Sequence, residues 1–252
     1  MRMITIGLPV YNEEKWVREA IESILTQSYT NWELIVADDG STDKTMEIIH
    51  GFTDARIKVI SDNKHLGIAS RLNQMIDMAQ GMYFARMDAD DIMMTMRLEK
   101  QVAFINEHAE VDLLSSSAII IDERDEKLGV RNEKLIHPTV MGRTEWFRQN
   151  PYNEAYSGVE DYELWLRVRG KANISHIDEP LMYYREHTCY DVQKVWCERI
   201  LGIKMIWQEQ HLYGSIWRAI LQIANNIMVM AVVPVVHLLR LDRWVILRRN
   251  KK

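Results

Sequence analysis

The stretch FARMDADDIMMTMRLEKQ, Phe84 to Gln101, sets three carboxylates, Asp88, Asp90 and Asp91, within four positions. They follow directly on the apolar run Met82–Met87. A short apolar run that stops at a polar cluster reads as a buried strand, and the periodic residues from about Thr95 to Glu107 read as a helix. Like charges this close repel, and the end of a buried strand solvates them poorly. A divalent cation such as Mg2+ or Mn2+ would offset that cost, because such ions take oxygen ligands and share their shell between carboxylates, phosphates and water. In extended backbone Asp88 and Asp90 point to one side and Asp91 to the other, where it can cap the next helix. The alternative is an acidic loop that caps a helix and binds no ion.

Upstream, the same strand–turn–helix unit recurs. Ile4–Val10 is short, apolar and ended by a polar cluster, so it predicts a buried strand. Asn12 is placed to cap the helix that follows, with Glu13 and Glu14 in its positive first turn. Leu34–Ala37 is a second strand, and Ser41 or Thr42 caps a helix through Ile49. Ile57–Ile60 is a third strand, and Gly67 opens a helix to about Ala79. This alternation predicts a mostly parallel, doubly wound α/β sheet. Ligands of such sheets bind at the carboxyl ends of the strands. The clusters Tyr11–Glu13, Asp38–Ser41 and Asp88–Asp91 all fall at such ends, so they are expected to converge.

The second half reads differently. Leu113–Ile121 is a long β run, and Asp122–Glu133 an exposed hairpin. Val159–Arg169 is a helix with acids at its start, Leu181–Tyr184 a strand, and Tyr190–Leu212 a long helix. The chain has 252 residues and a net charge of −5, with no basic, aromatic-laced stripe in its first 210 residues, which argues against nucleic acid as a partner. Its two cysteines, Cys189 and Cys197, match no zinc or redox spacing and are read as reduced thiols in a helical segment. The start MRMITIGLPVYNEE carries no signal-peptide pattern, so a cytoplasmic location is expected for the folded part.

Five segments in order, IGLPVYNEEKWVREAIESILTQSY, WELIVADDGSTDKT, GIASRLNQMI, ARMDADDIMMTMRLEKQ and EDYELWLRV, resemble the successive signatures of glycosyltransferase family 2. The resemblance runs from about Ile4 to His187. It implies an inverting enzyme of GT-A fold, a Rossmann-like mixed α/β sheet flanked by helices, with a catalytic domain over 1–212 and a helical, membrane-associating extension over 213–252. Within the domain, 1–107 would bind the nucleotide sugar, 108–188 the acceptor, and 189–212 would form a helix. By position, Pro9 and Tyr11 resemble residues lining the nucleotide base, and Glu13 and Asp39 the acids that hydrogen-bond ribose or base. Arg71 resembles the basic residue that reaches the base or diphosphate. Asp88 resembles the acid facing the ribose, and Asp90 the ligand of a Mn2+ or Mg2+ ion on the diphosphate. Asp161 resembles the catalytic base. Arg185 and His187 resemble a late Arg-x-His element whose His sometimes adds a metal ligand.

The chemistry fits these roles. A cation at Asp90 would neutralise the charge that grows on a diphosphate leaving group. Asp161 would take the acceptor's proton from the opposite face, with its basicity raised by partial burial. Plainer roles stay open: helix capping for Asp161, core packing for Tyr11, a surface arginine for Arg71. A sugar-1-phosphate nucleotidyltransferase is the rival enzyme, but LPVYNEEKW lacks the glycine-rich loop it needs. A non-catalytic nucleotide-sugar binding module is the other rival.

Ala219–Leu239 is apolar apart from Gln222, Asn225, Asn226 and His237, and Pro234 interrupts it. At helical rise it is about 30 Å long, near the thickness of a bilayer's hydrocarbon core. The last thirteen residues hold six Lys/Arg and one acid. A single span would export that basic tail, against the positive-inside tendency. A helix lying in the membrane interface is therefore favoured over a span, a homodimer contact or packing on the domain. Attachment to the inner face of the cell membrane would suit a lipid-linked or saccharide acceptor and a nucleotide diphosphate sugar donor, most commonly a UDP-sugar in this family.

Overall fold

The computed structural model describes residues 2–189 and 191–250. Tyr190, the expected start of the long second-half helix, and Lys251 and Lys252 of the basic tail lie outside the described residues.

Strands β1 (Ile4–Val10), β2 (Trp32–Asp38), β3 (Ile57–Ile60) and β4 (Tyr83–Arg86) are all parallel and lie in the order β3-β2-β1-β4. β1, β2 and β4 are buried along their whole length, as both faces carry helices. On one face Ile6, Leu8, Leu34 and Val36 pack with α1 (Val17–Leu25) and α4 (Arg97–Glu107). On the other, Ile35, Ala37 and Phe84 pack with Leu72, Met75 and Ile76 of α3 (Ile68–Met78). Gly7 leaves room for the Phe84 ring: a Cβ there would lie 2.2 Å from Phe84 Cζ. A short α2 (Thr45–His50) follows β2.

Beyond β4 the sheet is mixed, as the family resemblance implies; the parallel order that the alternation predicts holds for β1 to β4. β8 (Met141–Arg143) runs antiparallel to both β4 and β6 (Leu113–Ile121). β6 pairs in parallel with β9 (Ile174–Arg185), and β5 (Ile92–Met93) closes the edge against β9. β7 (Lys127–Arg131) forms the expected hairpin on β6. β9 begins well before the expected Leu181. Its first half, ISHIDEP, is polar and becomes a strand through pairing with the buried β6, a tertiary effect that propensity does not carry. α5 (Thr144–Gln149) and α6 (Glu160–Val168) complete this half.

Three helices end the chain: α7 (Val192–Gln208), α8 (Ile216–Leu238) and α9 (Asp242–Arg249). α8 runs back along α7. Trp196 Nε1 donates to Met230 O at 3.0 Å and Arg199 to Asn226 Oδ1 at 3.3 Å, so the Asn226 side of α8 faces α7, while Asn225 stays exposed. The opposite face is open, with Trp217 71% and Leu221 70% exposed. α9 folds onto the hairpin, where Ile246 packs on Ile120 and Leu128. Arg243 pairs with Glu126 at 3.0 Å, and Arg249 pairs with Glu186. Part of the basic tail is thus neutralised within the chain.

Candidate active site

The carboxyl ends of β1, β2 and β4 do converge, and side chains brace them. Asn12, in left-handed backbone (φ 56°), accepts from Thr42 N at 2.8 Å and donates its own N–H to Ser41 Oγ at 3.0 Å. It therefore ties two loops together and does not cap α1, which starts only at Val17. Neither Ser41 nor Thr42 caps α2, whose N-cap position is Lys44; Asp43 just before it accepts from Thr45 N at 2.9 Å. Glu13 N donates to Thr45 Oγ1 at 2.7 Å, which fixes the first acid over the cleft.

That cleft has a volume of about 440 Å³. Pro9, Tyr11, Glu13, Asp39, Arg71, Asp88, Asp90 and His187 all line it. The Tyr11 ring is half exposed and lies 4.6 Å from the His65 ring, a contact that sequence reasoning missed. Asp39 is buried, and its carboxylate is engaged by the protein itself: Leu66 N at 2.7 Å, Gly67 N at 3.1 Å and Arg71 Nε at 3.0 Å. The fully buried Arg71 also donates to Asp62 at 2.7 Å, Gln74 at 3.0 Å and Lys64 O. Its guanidinium holds the wall of the cleft.

The acidic turn sits on arginines. Asp88 pairs with the buried Arg86. Asp91, expected to cap the next helix, is 1% exposed and accepts from Arg185 N of β9 at 2.8 Å; its Oδ2 has no partner among the described residues. Arg185 donates to Asp90 O at 2.8 Å and stacks 3.9 Å from the Trp16 ring, so it underlies the turn. His187 Nε2 is 3.9 Å from Asp90 Oδ2, and its Nδ1 is 3.7 Å from Glu123. Oxygens of Asp88, Asp90 and Asp91 lie within 4.8 Å of one another. Burial first, then Asp88, pushes Asp90 up to about 6, and burial raises Asp91 well above the usual carboxylate range. Burial, then Asp90 and Asp88, pushes Glu13 up to about 8. Crowded, part-buried carboxylates with one orphaned buried oxygen are a donor set that fits a hard divalent cation.

Asp161 lies in a second cleft, of about 570 Å³, which shares Ile68, Asp88, Tyr184 and Lys194 with the first. It stands in the first turn of α6 and accepts from Tyr162 N at 2.7 Å; no side chain caps that helix. Burial raises its pKa. Beside it Glu160 accepts from Gly158 N at 2.5 Å and faces His137 Nδ1 at 4.0 Å. Burial, then Asp161, lifts Glu160 to about 7. Glu160 and Lys194 were not singled out from sequence as cleft residues. For Lys194 the only available signal was its place after Asp191, which caps α7 by accepting from Lys194 N at 2.9 Å.

A family model described as Glycosyl transferase family 2 matches residues 5–166. EpsE of Bacillus subtilis is 35% identical over 189 residues, 65% of this chain and 66% of EpsE. WfgD of Escherichia coli, a UDP-Glc:alpha-D-GlcNAc-diphosphoundecaprenol beta-1,3-glucosyltransferase, is 30% identical over 188 residues, 70% of this chain and 73% of WfgD. In fold, the chain resembles S. aureus TarS 1–349, solved in complex with UDP-GlcNAc, with a TM-score of 0.65 at 22% identity over 90% of this chain and 72% of that one. On the family match and the span of these relatives, this chain belongs to glycosyl transferase family 2, as a glycosyltransferase of GT-A fold.

Proposed function

We propose that the chain moves one sugar from a UDP-sugar to a hydroxyl of a lipid-linked or saccharide acceptor, with inversion at the anomeric carbon. The observation that carries this reading is the pair of joined clefts. One gathers Tyr11, Glu13, Asp88, Asp90 and His187; the other presents Asp161. WfgD's name, with a UDP-sugar donor and a diphosphoundecaprenol-linked acceptor, supports the substrate class.

Each residue then has a task. Tyr11, beside His65, offers a flat face to the base next to Pro9. Asp39 and Arg71 shape the wall that the base and ribose meet, while Glu13 and Asp88 face the ribose. Asp90 and His187 would hold Mn2+ or Mg2+, with Asp91 behind them. When bound, that ion stabilises the charge that develops on the diphosphate. Asp161 accepts the proton of the acceptor hydroxyl as its oxygen forms a bond to the anomeric carbon. The bond from that carbon to the diphosphate breaks in the same displacement, and its electrons leave with the nucleotide. A carboxylate lifted by burial is a better base for that proton than one in water.

The open face of α8 supports attachment at the inner membrane surface. α8 is long and apolar enough to cross a bilayer, yet one face packs on α7; Trp217 stands exposed at its start and Trp244 stands exposed on α9 beyond its end. Such an amphipathic arrangement suits a helix lying in the interface beside a lipid-linked acceptor. Flotation with anionic vesicles, with Trp217→Ala as control, tests this contact.

Thermal-shift titration tests the donor reading. UDP and Mn2+ together should stabilise the chain more than either alone, and the effect should vanish in Asp90→Ala. Equal stabilisation by UDP without any cation would overturn the metal assignment. Product of retained anomeric configuration would overturn the role of Asp161.

A further inference from the structure

We propose that Cys189, His237 and Asp242 form a second cation site, of thiolate–imidazole–carboxylate type suited to Zn2+, that pins the C-terminal helices to the segment leaving the donor cleft. The three residues come from separate parts of the fold: Cys189 just after β9, His237 in the last turn of α8, and Asp242 at the first turn of α9. Their ligand atoms lie within 4.8 Å of one another. His237 Nδ1 is 3.4 Å from Asp242 Oδ2 and 3.9 Å from Cys189 Sγ.

Hydrogen bonding alone accounts poorly for this convergence. A single ring nitrogen faces both partners, and 3.4 Å is longer than a well-formed N–H···O bond. Asp242 is only 7% exposed, and its Oδ1 is buried with no hydrogen-bond partner among the described residues. A buried carboxylate oxygen left unpaired is costly. A cation held between the three groups would meet Oδ2, the oxygen that faces His237, and would satisfy Oδ1 when the carboxylate binds it through both oxygens. Ligand atoms on a tetrahedral zinc, with bonds of about 2.0 to 2.3 Å, lie about 3.3 to 3.6 Å apart, so small shifts close the site. Sulfur and nitrogen beside one oxygen select a borderline ion, whereas the all-oxygen turn at Asp88–Asp91 suits a hard one. Cys189 and His237 are exposed, which gives the ion an entry path and leaves its fourth position to water. Binding takes Cys189 as the thiolate and releases its proton to solvent.

The position matters because Cys189 is two residues from His187 in the donor cleft. Thr188 between them is tied to Glu123, its N–H at 2.6 Å and its hydroxyl at 2.9 Å. A metal at Cys189 would fasten the far side of this segment to the α8–α9 corner.

Cobalt reports the site directly, because a thiolate ligand gives Co2+ a near-ultraviolet charge-transfer band that oxygen ligands do not. The chelator-treated full chain is titrated with Co2+, both as it stands and with Asp90→Ala to silence the donor cleft. One equivalent should produce the band in both proteins, and Zn2+ should displace it. Cys189→Ala should abolish the band, Cys197→Ala should keep it, and His237→Gln should weaken Co2+ binding by about tenfold or more. Absence of the band from the unsubstituted chain overturns the site, with no variant needed to fold. A band that survives Cys189→Ala, or unweakened binding in His237→Gln, overturns the ligand assignment. Loss of the band only in Asp90→Ala would overturn its independence from the donor cleft.

Discussion

Replacing Arg71 by Met tests whether the donor cleft is held by the protein or by its ligand. The side chain is fully buried, and its guanidinium is used up on Asp39, Asp62, Gln74 and the carbonyl of Lys64. Methionine keeps the apolar stem and removes the charge. Asp39 then keeps its bonds from Leu66 N and Gly67 N but stays buried without its cation. Breaking one side of a buried pair costs about 3 to 5 kcal/mol. For a chain of this size, about 2 to 4 °C of melting temperature is lost per kcal/mol, so Arg71→Met should melt about 6 to 20 °C lower. Calorimetry, with UDP titrated into the folded variant at low temperature, separates two roles. A clamp loses stability first, and its UDP affinity falls because residues 62–67 detach. Adding Asp39→Asn should recover part of the loss, since the stranded charge is gone; a double-mutant cycle gives the coupling. A variant that melts within a degree or two of the parent yet fails to bind UDP would refute the clamp and make Arg71 a direct ligand contact.

Asp161→Asn should lower kcat by about a hundredfold to ten-thousandfold, because the general base is lost while UDP affinity in the other cleft holds; a parallel loss of UDP binding would count against the assignment. Glu160 has a folded pKa of about 7 against an ordinary 4.5, so the native state holds its proton longer than the unfolded chain does. Its contribution to stability is therefore complete below 4.5, declines as pH rises to about 7, and is flat above that. The stability difference between parent and Glu160→Gln should trace that decline in urea titrations, and a flat difference from 4.5 to 7 would contradict it. The buried His137 nearby, held well below its ordinary pKa by burial, works with the opposite sign, so the difference and not the raw curve is the measurement. Gly81→Ala places a Cβ 2.4 Å from Thr5 N and 2.7 Å from Ile4 C, both backbone of β1, and should cost about 1 to 3 kcal/mol in chemical denaturation.

The first half of the fold was legible because its signals are local. Each strand there is a short apolar run buried on both faces, and each helix carries its apolar stripe. The caps were misjudged for one reason. Asn12, Ser41 and Asp91 are good capping residues in isolation, but each finds a partner on a neighbouring loop or strand. β8 spans three residues and the first half of β9 is polar, so neither has a pattern of its own; β6, pairing with both, makes them strands. The cleft's acids were legible because carboxylates at strand ends are conspicuous. Of the arginines beside them, Arg185 stood out only through the family resemblance, and Arg86 and Arg97 did not, since they sit in an apolar and a helical run and only the fold turns them inward.

Those arginines decide how the acidic turn behaves. Arg86 neutralises Asp88, and Arg185 spends its side chain on Glu19, Asp125 and the carbonyls of Asp90 and Asp122. Arg97 lies beneath, fully buried, and burial pulls its pKa down to about 9. None of the three makes an ion pair with Asp90 or Asp91, whose pKa values stand above the carboxylate range, first through burial and then through neighbouring acids. The fold thus fixes the backbone of the turn with cations while giving two carboxylates no arginine partner, with His187 3.9 Å from Asp90. Had Arg185 reached the Asp90 carboxylate instead of its carbonyl, the turn would be more stable and would have less use for a cation. A structural acidic cap would be expected to take that cheaper arrangement. Keeping arginine off these carboxylates at the one place where β1, β2 and β4 meet favours a ligand that brings positive charge with it.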